Sequence, residues 1–203
     1  TQKLLNKKLS KRIRIELLGS HKHNINNKNS VNISKNILFL PSGEFEEAFN
    51  MTNFAINFAK FNSEINIIIR YHPIIKNKFN RLKEYKNFRH SGSSIMNDCE
   101  NSRWAVYSSS TAIFEAIQLG CLPINLNIEN LISINDPLWQ INSELKTKIK
   151  NKEELSLFID NTRYKQKFEK SLNQKYCILN DQINNLSSSL NIKILEKDFK
   201  KIK

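Results

Sequence analysis

A chain of 203 residues that is 39% apolar can bury a full core, and it has no run of the ~18 apolar residues that a membrane-spanning helix requires. Three cysteines without paired spacing, Cys99, Cys121 and Cys177, exclude a disulfide framework or zinc site and point to reduced thiols in a cytoplasmic setting. The net charge of +13 sits in the flanks: residues 1–30 hold 8 Lys and Arg against 1 acidic residue, residues 31–130 hold 10 against 9, and residues 131–203 hold 14 against 9.

A nucleic-acid-binding reading rests on that charge alone, and the patterned middle of the chain does not support it; no nucleic-acid partner is expected. Richness in Lys, Asn and Ile gives the excess a compositional explanation; the alternative is attraction of the basic flanks to a polyanion or to an anionic membrane face, such as the inner side of the cytoplasmic membrane. The chain opens on Thr1 with no signal-peptide pattern, and the expectation is a piece of a longer protein.

Residues 1–35 are polar and basic and read as a linker or the remnant of a preceding domain. "NILFLP" (36–41) reads as a buried strand stopped by Pro41-Ser42-Gly43. A helix is expected over 44–61, where Phe45, Ala48, Phe49, Met51, Phe54, Ala55 and Phe58 recur at helical spacing. Its first turn is acidic, and Glu44, Glu46 and Glu47 are read as suiting a helix N-terminus, without a catalytic role. "INIIIRYHP" (65–73) is a second buried strand ended by proline, and 80–88 reads as a short helix.

A weak strand over 88–91 and a short helix over 94–102 follow. Then come a strand at 104–109, a helix at 111–120 with Gly120 closing it, and a strand at 121–126. Residues 131–203 read as mostly helical. The division expected is therefore a linker at 1–35, a nucleotide-binding type of domain at 36–150, and a C-terminal helical extension at 151–203. Continuous apolar strands alternating with helices imply an α/β fold, a Rossmann-like parallel sheet covered by helices on both faces.

Such sheets bind ligands at the carboxyl ends of their strands. Three of these ends are polar: Ser42 and Gly43, then Arg70, Tyr71, His72 and Pro73, then Ser108, Ser109, Ser110 and Thr111. If the strands are neighbours, the ends share one rim. A helix starting near Thr111 offers free N–H groups and partial positive charge, and small hydroxyls let an anion approach, as a phosphate requires. One hydroxyl serves as an N-cap; four in a row exceed that need. Glu115 lies one turn further on and leans toward the same rim, where a ribose or a surface cation would pair with it. His72 can donate to a phosphate or carry a proton near neutral pH. No G-x-G-x-x-G, no P-loop pattern and no G-x-S-x-G elbow occurs.

"RYHP" (70–73) followed by "YSSSTAIFEAIQLGCLPI" (107–124) resembles the C-terminal donor-binding domain of GT-B-fold glycosyltransferases, most closely bacterial enzymes that use CMP-activated sialic acid or Kdo in capsule and lipopolysaccharide synthesis. The resemblance covers roughly residues 36–126. In those families a His-Pro motif and a Ser-Ser/Ser-Thr motif hold the CMP phosphate, which His72-Pro73 and Ser108–Thr111 match. Glu115, Gly120 and Pro123 are similar to the broader pattern in which the glutamate contacts the ribose.

The resemblance implies one half of a GT-B fold and a nucleotide-sugar donor. It also implies a glycan acceptor, held by a preceding acceptor-binding domain that supplies the general base. It implies no metal cofactor, with His72 stabilising the leaving phosphate. The nucleotide-sugar site it implies comprises Ser42, Gly43, Arg70, His72, Pro73, Ser108, Ser109, Ser110, Thr111 and Glu115. The alternatives are a non-catalytic nucleotide-binding remnant and a sugar-nucleotide epimerase of the same architecture.

Overall fold

The computed structural model describes residues 30–80, 82, 84–127, 136–139, 141, 146–164 and 173–181. Its centre is a parallel sheet of six strands: β1 (Asn36–Leu40), β2 (Asn66–Ile69), β3 (Phe88–His90), β4 (Trp104–Tyr107), β5 (Leu122–Leu126) and β6 (Thr147–Ile149). The spatial order is β3-β2-β1-β4-β5-β6. Between strands run α1 (Phe45–Phe61), α2 (Pro73–Lys76), α3 (Ile95–Glu100) and α4 (Ala112–Gln118), with α5 (Lys152–Tyr164) and α6 (173–181) after β6.

The apolar runs become inner strands because a parallel sheet buries both faces. Every residue of β4 and β5 is buried, as are Ile37–Leu40 of β1. Each such Leu, Ile or Val contributes about 1.5–3 kcal/mol relative to exposure. α1 covers the sheet with Ala48, Met51, Ala55, Phe58 and Ala59, while Phe45 and Phe49 stack on each other at its exposed side. The helical spacing expected for 44–61 is thus correct, but its two first phenylalanines face outward.

One expectation is corrected. The short helix expected over 80–88 is absent among the described residues; the chain instead turns back at Tyr85–Phe88, where each backbone N–H bonds the other's carbonyl. Asn87 fixes that turn by donating to the carbonyls of Ala59, Asn62 and Ile65. The local helix falls earlier, at α2, because Pro73 presets the first helical φ and His72 caps it. Among the described residues after 131, α5 and α6 are helical as expected, and β6 is an addition: it extends the sheet beside β5, with Leu126 opposite Ile149.

Residues placed in the expected linker and extension pack on this core. Val31 N–H bonds Asn173 Oδ1, Asn32 is buried, and Tyr176 OH donates to Ile117 O at 2.6 Å. No described helix is long and apolar enough to cross a membrane. The basic C-terminal stretch 191–203 lies outside the described residues, as does most of 1–35.

Candidate functional site

In the order β3-β2-β1-β4-β5-β6 the chain reverses direction of winding between β1 and β4, and ligands of open α/β sheets bind in the crevice beyond the strand ends at such a point. Leu40 pairs with Tyr107 and Phe39 with both Ile69 and Val106, so the polar ends of β2, β1 and β4 do lie side by side. The rim inferred from sequence exists.

On its β2 side, His72 is exposed and its Nδ1 accepts from Ile74 N–H at 3.3 Å, capping α2. With Nδ1 accepting, a neutral ring carries its proton on Nε2, the nitrogen left for a ligand. The ring lies against Gly43: a Cβ there would come within 3.2 Å of Nδ1. Gly43 therefore lets the turn after β1 sit under the imidazole, joining two of the three predicted segments.

Arg70 takes a different place. Its guanidinium pairs with the buried Asp98 at 3.0 Å and donates to Ser91 Oγ and Ser93 O. Asp98 also accepts from Ser91 and Ser93 hydroxyls, so four side chains organise the loop after β3. That loop walls a cleft of about 530 Å³ between the ends of β2 and β3, lined by Arg70, Tyr71, Pro73, His90, Ser91 and Ser93. Tyr71 is packed face to face with Phe79 and bonded to Thr52, and burial pushes its phenol up to about 12. The cleft adjoins Pro73; the serine run lies across β1 from it.

The serine run divides by role. Ser108 is fully buried with its Oγ unpartnered among the described residues, while its carbonyl accepts from Asn125 Nδ2. Ser109 donates its hydroxyl to the carboxylate of Glu47. Ser110 is buried and Thr111 exposed, and neither hydroxyl has a described partner. Thr111 opens α4 with helical φ and no side-chain cap bond, so the first amides of that turn keep no side-chain acceptor. Glu115 is half-buried one turn along α4, its carboxylate without a described partner.

Sequence reasoning missed Glu47. Its side chain is 3% exposed, and it accepts from Ser42 N at 3.0 Å, Ser42 Oγ at 3.0 Å and Ser109 Oγ. A signal existed: Glu47 falls one turn before Met51 and two before Ala55, in register with the buried stripe of α1. The other missed cluster lies behind β4, where Tyr107 OH donates to Asp136, which pairs with the buried Lys146 at 3.0 Å. Burial first, then the Asp136 charge, raises the Tyr107 phenol far above its usual range. Among the described residues no three His, Cys, Asp or Glu side chains gather as a metal site requires.

No protein-family model and no curated protein matches the chain. Solved structures do. The GT-B glycosyltransferase TarM superposes with a TM-score of 0.55 at 14% identity, over 87% of this chain and 36% of its own. The glycosyltransferase of kitacinnamycin gives 0.57 at 8% identity, over 91% and 49%. A UDP-GlcNAc 2-epimerase from Methanocaldococcus jannaschii gives 0.44 at 17%, over 67% and 40%. At these identities the first two likenesses define the fold: a Rossmann-like α/β sheet consistent with one half of a GT-B fold. The chain spans less than half the length of each of these structures.

Proposed function

We propose that the chain is the donor-binding half of a glycosyltransferase. Its donor is a nucleotide-activated sugar, a CMP-linked acidic sugar of the sialic acid or Kdo type, and its product belongs to bacterial surface glycans. The observation that carries this reading is the shared rim: His72 rests on Gly43 beside β1, and Ser108–Thr111 follow the adjacent β4 at the point where the sheet's order reverses.

In that reading the phosphate sits between His72 Nε2 and the Ser110–Thr111 turn, and the nucleoside extends along the first turn of α4. Glu115 takes the ribose hydroxyls. When the acceptor oxygen attacks the anomeric carbon, the bond from that carbon to the phosphate oxygen breaks and its electron pair leaves with the phosphate. Donors already aimed at that oxygen stabilise the growing charge without reorganising. The base that takes the acceptor's proton belongs, by the same reading, to a second domain. Basic flanks that hold the enzyme at the cytoplasmic membrane face fit an acceptor anchored there.

Calorimetric titration with CMP, UDP and GDP tests the site. The expected result is binding of CMP, weakened about tenfold or more in both His72→Ala and Thr111→Ala, since a hydrogen bond to a charged group contributes about 1.5–3 kcal/mol. Unchanged affinity in both folded variants would remove the assignment. Conversion of a UDP-sugar with no acceptor present would replace it with epimerase chemistry.

A further inference from the structure

We infer that Glu47 is a positioning residue: its carboxylate clasps the loop after β1 to the loop after β4 and so sets the geometry of the nucleotide phosphate site. This rests on the nucleotide-binding reading above and adds to it a residue outside the motifs that suggested it.

The clasp spans the sheet's reversal point. Glu47 Oε1 accepts from Ser42 N–H, and Oε2 accepts from both Ser42 Oγ and Ser109 Oγ. Ser42 belongs to the turn after β1 and Ser109 to the turn after β4, 67 positions later in sequence, and no other described side chain bonds these two turns to each other. Ser42 Oγ in turn accepts from Glu44 N–H at 3.2 Å, and Glu44 Oε2 caps Glu47 N–H at 2.8 Å. The N-terminus of α1 is thereby closed on itself, and Glu47 cannot swing out without releasing Ser42. Gly43, the next residue, carries the His72 ring. One carboxylate thus fixes both walls of the crevice.

Burying a carboxylate at 3% exposure with no described cation beside it is costly. Three hydrogen bonds offset the cost, yet a core helix would reach the same packing with leucine at that position. A charge retained there is explained by what it holds. The bonding also assigns direction to the hydroxyls. Ser42 and Ser109 spend their protons on Glu47, so neither donates to a phosphate; Ser110, Thr111 and His72 remain for that. Ser109 therefore acts on the ligand through Glu47.

The test is a double-mutant cycle on Glu47 and Ser109, read by calorimetry with CMP, UDP and GDP and, as control, with the matching nucleosides, alongside thermal melts. Glu47→Ala is expected to lower nucleotide affinity at least tenfold while leaving nucleoside affinity within twofold, because only the phosphate lies at the clasp. Glu47→Gln keeps an acceptor for Ser42 N–H and is expected to fall between wild type and Glu47→Ala. Ser109→Ala should weaken nucleotide binding in the wild type and add nothing in the Glu47→Ala background.

Additive losses overturn the clasp and make Ser109 a direct ligand contact. Tighter binding by either Glu47 variant overturns it too, since it would mean that the carboxylate merely occupies and repels from the site. If Glu47→Ala fails to fold, Glu47→Gln and Ser109→Ala alone and together give the same cycle. Wild type that binds no nucleotide overturns the site reading and the clasp together, whereas wild type that binds with all variants equal overturns only the clasp.

Discussion

Ser108 and Glu47 lie on the same rim and face opposite situations. Glu47 is charged, buried and satisfied three times over. Ser108 is neutral, fully buried and has a hydroxyl with no described partner. Leaving a buried hydroxyl unpaired costs about 1–3 kcal/mol, and alanine would fit the space. Ser108→Ala is therefore expected to melt at or slightly above the wild-type temperature and to bind nucleotide within about twofold of it, since the donors left for the phosphate are His72, Ser110 and Thr111. Scanning calorimetry and titration check the two halves separately: a lowered melting temperature would show that the hydroxyl contributes to the core, and a loss of affinity of about tenfold would make Ser108 a ligand contact. At this scale the sequence showed residues whose chemistry is unusual for their place, such as a His-Pro ending a strand or four hydroxyls before a helix. It did not show Glu47, whose partner lies 62 positions away and whose carboxylate looked like an ordinary acidic first turn. Nor did it show that Arg70 is taken by Asp98, because that pairing depends on where the loop after β3 folds back.

Elements here are joined at their ends by single amides. Asn32 Nδ2 donates to Cys99 O at 2.9 Å, Ser102 O at 3.1 Å and Leu119 O at 2.8 Å, binding the last turns of α3 and α4 together. Its own N–H bonds Gly120 O, and Gly120, at φ 95°, ends α4 in the left-handed region so closely that a Cβ would meet Asn32 Oδ1 at 2.5 Å. Asn32→Leu would cost Leu119 O its described donor, while Cys99 O keeps Ser102 N–H and the Cys121 thiol and Ser102 O keeps that thiol. A loss of about 1–3 kcal/mol is expected from the unpaired group, measurable by urea unfolding, and a loss under about 0.5 kcal/mol, the scale of an ordinary surface change, would show that α3 and α4 do not need this tie. The strands were legible because continuous apolar runs bounded by Pro or Gly have few alternatives. The segment 80–88 was not, since its turn is held by Asn87 reaching three carbonyls at and just beyond the end of α1, and β6 was not, since "TKI" is too short and polar to declare itself without β5 beside it.

For the molecule as a whole, the alternation of strands and helices carried the fold class, but the order β3-β2-β1-β4-β5-β6, which brings the rim together, follows only from pairing. The same packing gives the fold a sensitivity that composition does not reveal. Tyr71, Tyr107 and Tyr176 are buried phenols, and burial raises each of them, Tyr71 from 10.0 to about 12. A phenol whose folded value exceeds its unfolded value contributes fully below the unfolded value and loses its contribution as pH rises toward the folded one. Below pH 10.0 both states keep the proton; between there and about 12 the unfolded chain gives up Tyr71's proton and the folded chain does not. Each such tyrosine then tilts stability toward unfolding by up to about 1.4 kcal/mol per pH unit. Melting temperature is expected to be nearly flat to about pH 9.5 and to fall steeply above it. Tyr71→Phe forfeits the bond to Thr52, so it should start lower at neutral pH, yet it removes one titrating phenol and should fall less steeply. Melts of both proteins from about pH 8 to 11.5 decide the matter: parallel curves would mean that Tyr71 ionises without unfolding the sheet edge it packs on, and converging curves would place its proton in the core.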